Sequence, residues 1–256
     1  MSFFNKVFAS VGIGAASVDT KLEKETYMPG ETMKGSIFVK GGSVDQEIDE
    51  IILSVYTTYV KESNDRKYNV SACIERMAAA APFIIRAGEE RSFPFSFKLP
   101  EDTPITIGRT KIWLSTGLDI KNAMDPSDQD YIKVIPTNLM AAVLHSVQDL
   151  GFRLREADCQ EAPRRLRGRT PFIQEFEYVP ASGRFRGLLD ELEVAFFPAG
   201  NGNINVLLQV DRRARGLAGL LSEALEMDET HVSLTLSPSD ISVVSDRLER
   251  TIEKFA

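Results

Sequence analysis

Along the first half of the chain, apolar and polar residues change places at every second position. Phe93, Phe95, Phe97 and Leu99 fall on one side of an extended segment, and Ser92, Pro94, Ser96 and Lys98 on the other. A period of two belongs to a strand with one buried face. Val18, Thr20 and Leu22 repeat the pattern, as do Ile37 and Val39 set against Ser36, Phe38 and Lys40. The Pro29-Gly30 turn precedes the second of these strands, and Gly41-Gly42 closes it. Residues 50–60 are apolar on both sides, with Ile51, Leu53 and Val55 against Ile52, Tyr56 and Val60, so a central place in a sheet is expected. A polar turn over 63–67 leads to a return strand through Val70, Ala72 and Ile74. Further strands are predicted over 111–115, with the sole tryptophan Trp113, and over 131–135. Roughly eight short strands at this spacing predict an antiparallel sandwich.

At Pro136 the period changes. Leu139, Val143, Val147 and Leu150 recur at helical spacing, and Gly151 supplies a stop, so a helix is expected near 138–150. Alternation then returns at Phe172, Phe176 and Tyr178, at Leu192, Val194 and Phe196, and at Ile204, Val206, Leu208 and Val210. Gly200-Asn201-Gly202-Asn203 joins the last two as a hairpin turn. Leu217, Leu220, Leu221 and Leu225 predict a helix near 216–226, followed by a strand through Val232, Leu234 and Leu236. The chain closes on a helix over 238–255. Ser237 is its cap, Pro238 its first residue, and Ile241, Val244, Leu248, Ile252 and Phe255 its buried stripe. The layout is a mainly β chain of two tandem domains, 1–135 and 136–256, each an antiparallel sandwich, with helices in the second.

Composition narrows the partners. Lys and Arg number 30 against 37 Asp and Glu, for a net charge of −7, which argues against binding to nucleic acid. Two cysteines, Cys73 and Cys159, stand far apart in sequence, as reduced thiols in a cytoplasmic protein would. No run reaches the ~18 apolar residues that cross a bilayer. Phe4, Phe8 and Val11 sit at helical spacing near the N-terminus, and with Phe3 they allow either a short helix packed on the protein or a membrane-surface contact.

No phosphate loop, nucleophile elbow or zinc-protease motif occurs. Asp125, Asp128 and Asp130 lie in a stretch read as a solvated turn, without the glycine and distal glutamate of a calcium loop. Glu191 and Glu193 share one face of a strand and are read as a solvated edge rather than a catalytic pair facing across a cleft. His145 and Cys159 lack the neighbours that would activate them. No catalytic, cofactor-binding or metal-binding residue is assigned. Arg164, Arg165, Arg167 and Arg169 form one basic run in this acidic chain, and Arg212, Arg213 and Arg215 a second. They contact either a protein partner, an anionic surface or carboxylates of the protein itself. Exposed strand edges together with these runs also allow a homodimer.

Larger fragments carry a resemblance. Tyr27-x-Pro29-Gly30-Glu31, Gly35-x-Ile37-x-Val39 and Phe95-x-Phe97-x-Leu99-Pro100 look like an arrestin-type sandwich. Phe3 to Phe8, Gly12 to Ala16, Leu150 to Leu154, Gln174 to Tyr178, Leu189 to Glu193 and Asp211 to Gly216 follow in order. Together they make the chain resemble the bacterial sporulation-control protein family, whose members are arrestin-like. The resemblance implies two arrestin-like domains and a non-enzymatic regulatory scaffold in the cytoplasm that restrains entry into sporulation through protein–protein interaction. Membrane or septum association is the alternative. No catalytic residue comes with it, and no match is found for the polar core and phosphate-sensing residues of animal arrestins.

Overall fold

The computed structural model describes residues 14–63, 66–121, 125–164, 166–211 and 231–254. The expected sites at Phe3, Phe4, Phe8, Arg165, Arg212, Arg213 and Arg215, the helix near 216–226 and Phe255 lie outside these residues. The fold is mainly β, with two β-rich units. One gathers Met1–Thr57, Cys73–Thr103 and Lys111–Val134; the other gathers Thr58–Ala72, Pro104–Thr110 and Ile135–Ala256.

In the first unit, β1 (Ser17–Leu22), β3 (Thr32–Lys40) and β7 (Glu90–Lys98) form one antiparallel sheet in the order β1-β3-β7. Ile37 pairs with Phe93 and Gly35 with Phe95, so the alternating faces predicted for both strands coincide. Ile37, Val39, Phe95 and Leu99 are buried. The turn before β3 is built as its residues dictate. The Glu31 amide donates to the Met28 carbonyl at 3.0 Å, Pro29 takes the second position, and Gly30 has the positive φ of 81° that the third position needs.

A second layer is made by β2 (Thr26–Tyr27), β4 (Gln46–Ser63), β8 (Ile112–Ile120) and β9 (Ser127–Val134), with β5 (Arg66–Ala80) and β6 (Phe83–Ile85) also paired to β4. β4 is longer than the alternation implied. Its residues through Thr57 belong to the first unit and those from Thr58 to the second. Ile51, Leu53 and Val55 are buried, with Leu114 and Leu118 of β8. The hydroxyls of Thr20 on β1 and Thr116 on β8 lie 2.6 Å apart, a polar tie between the layers.

The acidic stretch 125–130 is not a free turn. β9 starts at Ser127, and the carboxylates satisfy backbone donors. Asp125 Oδ1 accepts from the Ile120 amide at 3.0 Å and Asp128 Oδ2 from the Thr20 amide at 2.8 Å. Asp130 is pushed up to about 6, first by burial and then by Asp128 and Asp19.

The second unit carries an antiparallel sheet in the order β10 (Phe152–Glu161), β11 (Phe172–Pro180), β12 (Glu191–Pro198), β13 (Ile204–Asp211), β14 (His231–Leu236). Gly200, Asn201 and Gly202 all take positive φ in the hairpin between β12 and β13, as the sequence requires there. Helix α1 (Asn138–Asp149) begins under the cap of Thr137, whose hydroxyl accepts from the Met140 amide at 3.3 Å, and stops before Gly151, which has φ 94°. It packs on β10 and on the final helix α2 (Val244–Ile252).

That final helix does not start as predicted. Ser237 and Asp240 form the expected cap, with Asp240 Oδ2 accepting from the Ser237 amide at 2.8 Å, but Pro238–Val243 is wound as a 3-10 helix. Tighter winding turns Ile241 roughly 60° away from its α-helical bearing. Ile241 is consequently exposed, whereas Val244, Leu248 and Ile252 are buried. Among the described residues, no helix is long and apolar enough to cross a membrane.

Candidate functional site

The register of the second sheet gathers acid. Glu156 on β10 pairs with Glu177 on β11, which pairs with Glu193 on β12; one step along, Asp158 pairs with Glu175. Side chains two apart on a strand share a face, so Glu191 joins Glu193. Six carboxyls from three adjacent strands therefore stand on one face. The expectation that Glu191 and Glu193 form a solvated edge is overturned, since each is only 4% exposed. β12 lies inside the sheet with β11 and β13 on either side, and sheet order cannot be read from one strand's alternation.

Such a face needs cations, and local structure supplies them. β10 shifts register between Leu154 and Glu156, leaving Arg155 as the bulged residue. Its guanidinium contacts Glu177 and lies 2.9 Å from Glu191 Oε2. Arg109 answers the other end, with Nε donating to Asp158 Oδ2 at 2.8 Å and Nη2 reaching Glu156. Arg109 is set by the segment 104–110. Gln174 holds that segment by accepting from the Ile105 amide and donating to its carbonyl, both at 2.8 Å. Gly108 makes the close approach feasible. Its φ is 59°, and a Cβ there would stand 2.3 Å from the Ala157 carbonyl oxygen.

Glu175 and Glu193 have no ion pair among the described residues. Burial, and next Asp158, push Glu175 up to about 8, with Lys67 offsetting part of the shift. Burial also raises Glu193, with Glu175 and Glu191 adding like-charge repulsion. Both border a cavity of about 450 Å³, which Glu62, Glu156, Asp158, Glu161 and Glu177 also line. The arginine run meets this cavity. Arg164 and Arg167 line it from the connection between β10 and β11. The Ala162 amide closes that connection by donating to the Pro171 carbonyl at 2.9 Å. Arg164, Arg167 and Arg169 are exposed, and Arg167 Nη2 lies 3.3 Å from Glu161 Oε1, which Lys61 also approaches at 2.9 Å. Arg164 and Arg167 thus border an acidic recess, and Arg167 pairs with one of its carboxyls. The basic run was legible in the sequence; the recess was not.

Other flagged residues stay apart from it. His145 is exposed on α1; Cys73 is exposed and Cys159 buried, and neither is in a disulfide. Among the described residues no group of three or more His, Cys, Asp or Glu side chains is disposed to hold a metal ion.

The comparisons with known proteins cover the same ground. Residues 4–214 match the family described as SpoOM protein, Spo0M. The chain belongs to the Spo0M family. The sporulation-control protein spo0M of Bacillus subtilis (strain 168) is 45% identical over 255 residues, which span 100% of this chain and 98% of that relative. The crystal structure of Spo0M from Bacillus subtilis superposes with a TM-score of 0.89 at 43% identity, over 95% of this chain and all of that one. The resemblance drawn from the ordered fragments is thereby borne out, as is the arrestin-like β fold it implied. Every residue that lines the acidic recess falls within the span matched to the Spo0M family.

Proposed function

We propose that this chain is a non-enzymatic regulator of sporulation that works by binding other proteins and restrains entry into the process. The carrying observation is co-linearity: the similarity to a sporulation-control protein runs the full length of both chains. The interaction surface is assigned to the exposed arginines 164, 167 and 169 and the recess beside them, with Arg165, Arg212, Arg213 and Arg215 as candidates from sequence. Mixed charge of this kind favours oriented encounter with a partner of complementary pattern. It favours an anionic membrane less, because Arg164 and Arg167 share their cavity with seven carboxyls. A cytoplasmic site of action accords with this reading.

Two experiments test it. Replacing Arg164, Arg165, Arg167 and Arg169 with alanine is expected to remove in-cell crosslinks that the parent protein forms, while the circular dichroism spectrum and melting temperature hold. An unchanged crosslink pattern would count against the arginine surface. Flotation with phosphatidylglycerol vesicles at low salt is expected to leave the protein unbound, and strong flotation lost in the same variant would move the reading to a membrane-associated regulator.

A further inference from the structure

Glu193 poses a problem that the sheet does not solve. It is 4% exposed, and its Oε2 has no hydrogen-bond partner among the described residues, yet it faces the cavity of about 450 Å³. An unsatisfied buried carboxyl costs ~1–3 kcal/mol or more, so such atoms commonly await a partner. Its diagonal neighbour Glu175 lines the same cavity and also lacks an ion pair among the described residues. Around them, Arg155 serves Glu177 and Glu191, Arg109 serves Asp158 and Glu156, and Lys61 and Arg167 serve Glu161, while Glu62 is exposed to solvent. The face is thus demonstrably able to seat cationic side chains, and two of its acids remain unmatched.

We propose that this recess binds alkylammonium groups, with Glu193 and Glu175 as their carboxylate partners. A metal ion is a poorer fit, because no group of three or more candidate ligand side chains is disposed to hold one among the described residues. Spacing points to an organic cation instead. Glu193 and Glu175 are diagonal neighbours on adjacent strands, about 7–8 Å apart at the backbone. Ammonium groups separated by three or four methylenes are ~5–6 Å apart, within the reach of two glutamate side chains that lean toward each other from those positions. The volume falls in the lower part of the range for small-molecule sites. An ammonium ion at the two carboxyls also offsets the desolvation that disfavours their charged form. A free polyamine and a lysine side chain of a partner offer the same group. The site goes beyond the proposed regulatory role and does not rest on the arginine surface, so its failure leaves that reading standing.

Isothermal titration calorimetry of the full chain tests it with spermidine in one arm and a Lys-Gly-Lys peptide blocked at both ends in the other. Saturable binding at one equivalent is expected in at least one arm. The arm that binds more tightly names the source. Glu193→Gln is expected to weaken that binding by about tenfold or more, as is Glu175→Gln, the loss of one charge-assisted contact each. Glu90→Gln, at an exposed acid of the other unit, is expected to leave it unchanged. Absence of saturable heat in both arms overturns the proposal. So does equal weakening by Glu90→Gln, which would mean that the net charge of −7 attracts the cation without a site. Should one glutamine variant fail to fold, the other carries the test, and wild-type affinity in it overturns the assignment.

Discussion

At the scale of single residues, the second unit is organised around carboxyls that it holds against their solvation. Glu175 makes the clearest prediction. Its folded-state value of about 8 exceeds the ordinary 4.5, so the folded protein keeps a proton that the unfolded chain releases. The resulting stability is fully present below about pH 4.5 and is lost as pH rises through about 8. Glu193 is shifted in the same direction and adds to the trend. Glu175→Gln should remove its share of that loss and raise stability at pH 9 relative to the parent by ~2–3 kcal/mol, with little change at pH 4.5. Urea melts at the two pH values check this, and equal midpoints for parent and variant at pH 9 would refute it. Gly108 offers a second case at this scale. Alanine there meets both a positive φ and the Ala157 carbonyl oxygen, so a loss of ~2 kcal/mol or more is expected in thermal unfolding. Glycine at exposed position 88, also at positive φ but with no atom near its Cβ, should cost less when replaced, and the difference between the two isolates the steric part.

At the scale of elements, the alternating pattern was a faithful guide wherever one face is apolar and the other wet. β7 and β3 obey it residue by residue, and α1 starts and stops where Thr137 and Gly151 direct. It misled where both faces are covered. The face of β12 that carries Glu191 and Glu193 reads as a polar edge; β12 is no edge, since β11 and β13 flank it, and its face is buried, Ala195 packing there with Ala162, Ile173 and Leu166. Strand order is a long-range property, and nothing in a five-residue window states it. The bulge at Arg155 was equally hidden, although it decides which way that guanidinium points. The acidic stretch 125–130 failed for a local reason. Aspartates favour turns through their affinity for backbone amides, and here they satisfy amides of Thr20 and Ile120 beside a strand. The arginine run was legible as charge, but the recess it borders arises only when β10, β11 and β12 are brought into register.

At the scale of the whole molecule, a Spo0M-family chain carries a charged recess that Arg164 and Arg167 border. Association of two copies through the arginine runs and the acidic surface is expected to be electrostatic, so any dimer should dissociate as salt is raised from ~0.05 to ~0.5 M. Multi-angle light scattering at the two concentrations checks this, and a dimer mass that persists at high salt would contradict a charge-driven interface. The central claim, regulation of sporulation through the arginine surface, is tested most directly by genetic replacement. The gene for the Bacillus subtilis sporulation-control protein is deleted and this chain, or its form with alanine at 164, 165, 167 and 169, is expressed in its place at matched abundance; spore frequency is then counted. The account predicts that the parent chain returns spore frequency to the value of the undeleted strain and that the arginine variant leaves it at that of the deletion. Failure of the parent chain to change spore frequency, or full restoration by the variant, would contradict it.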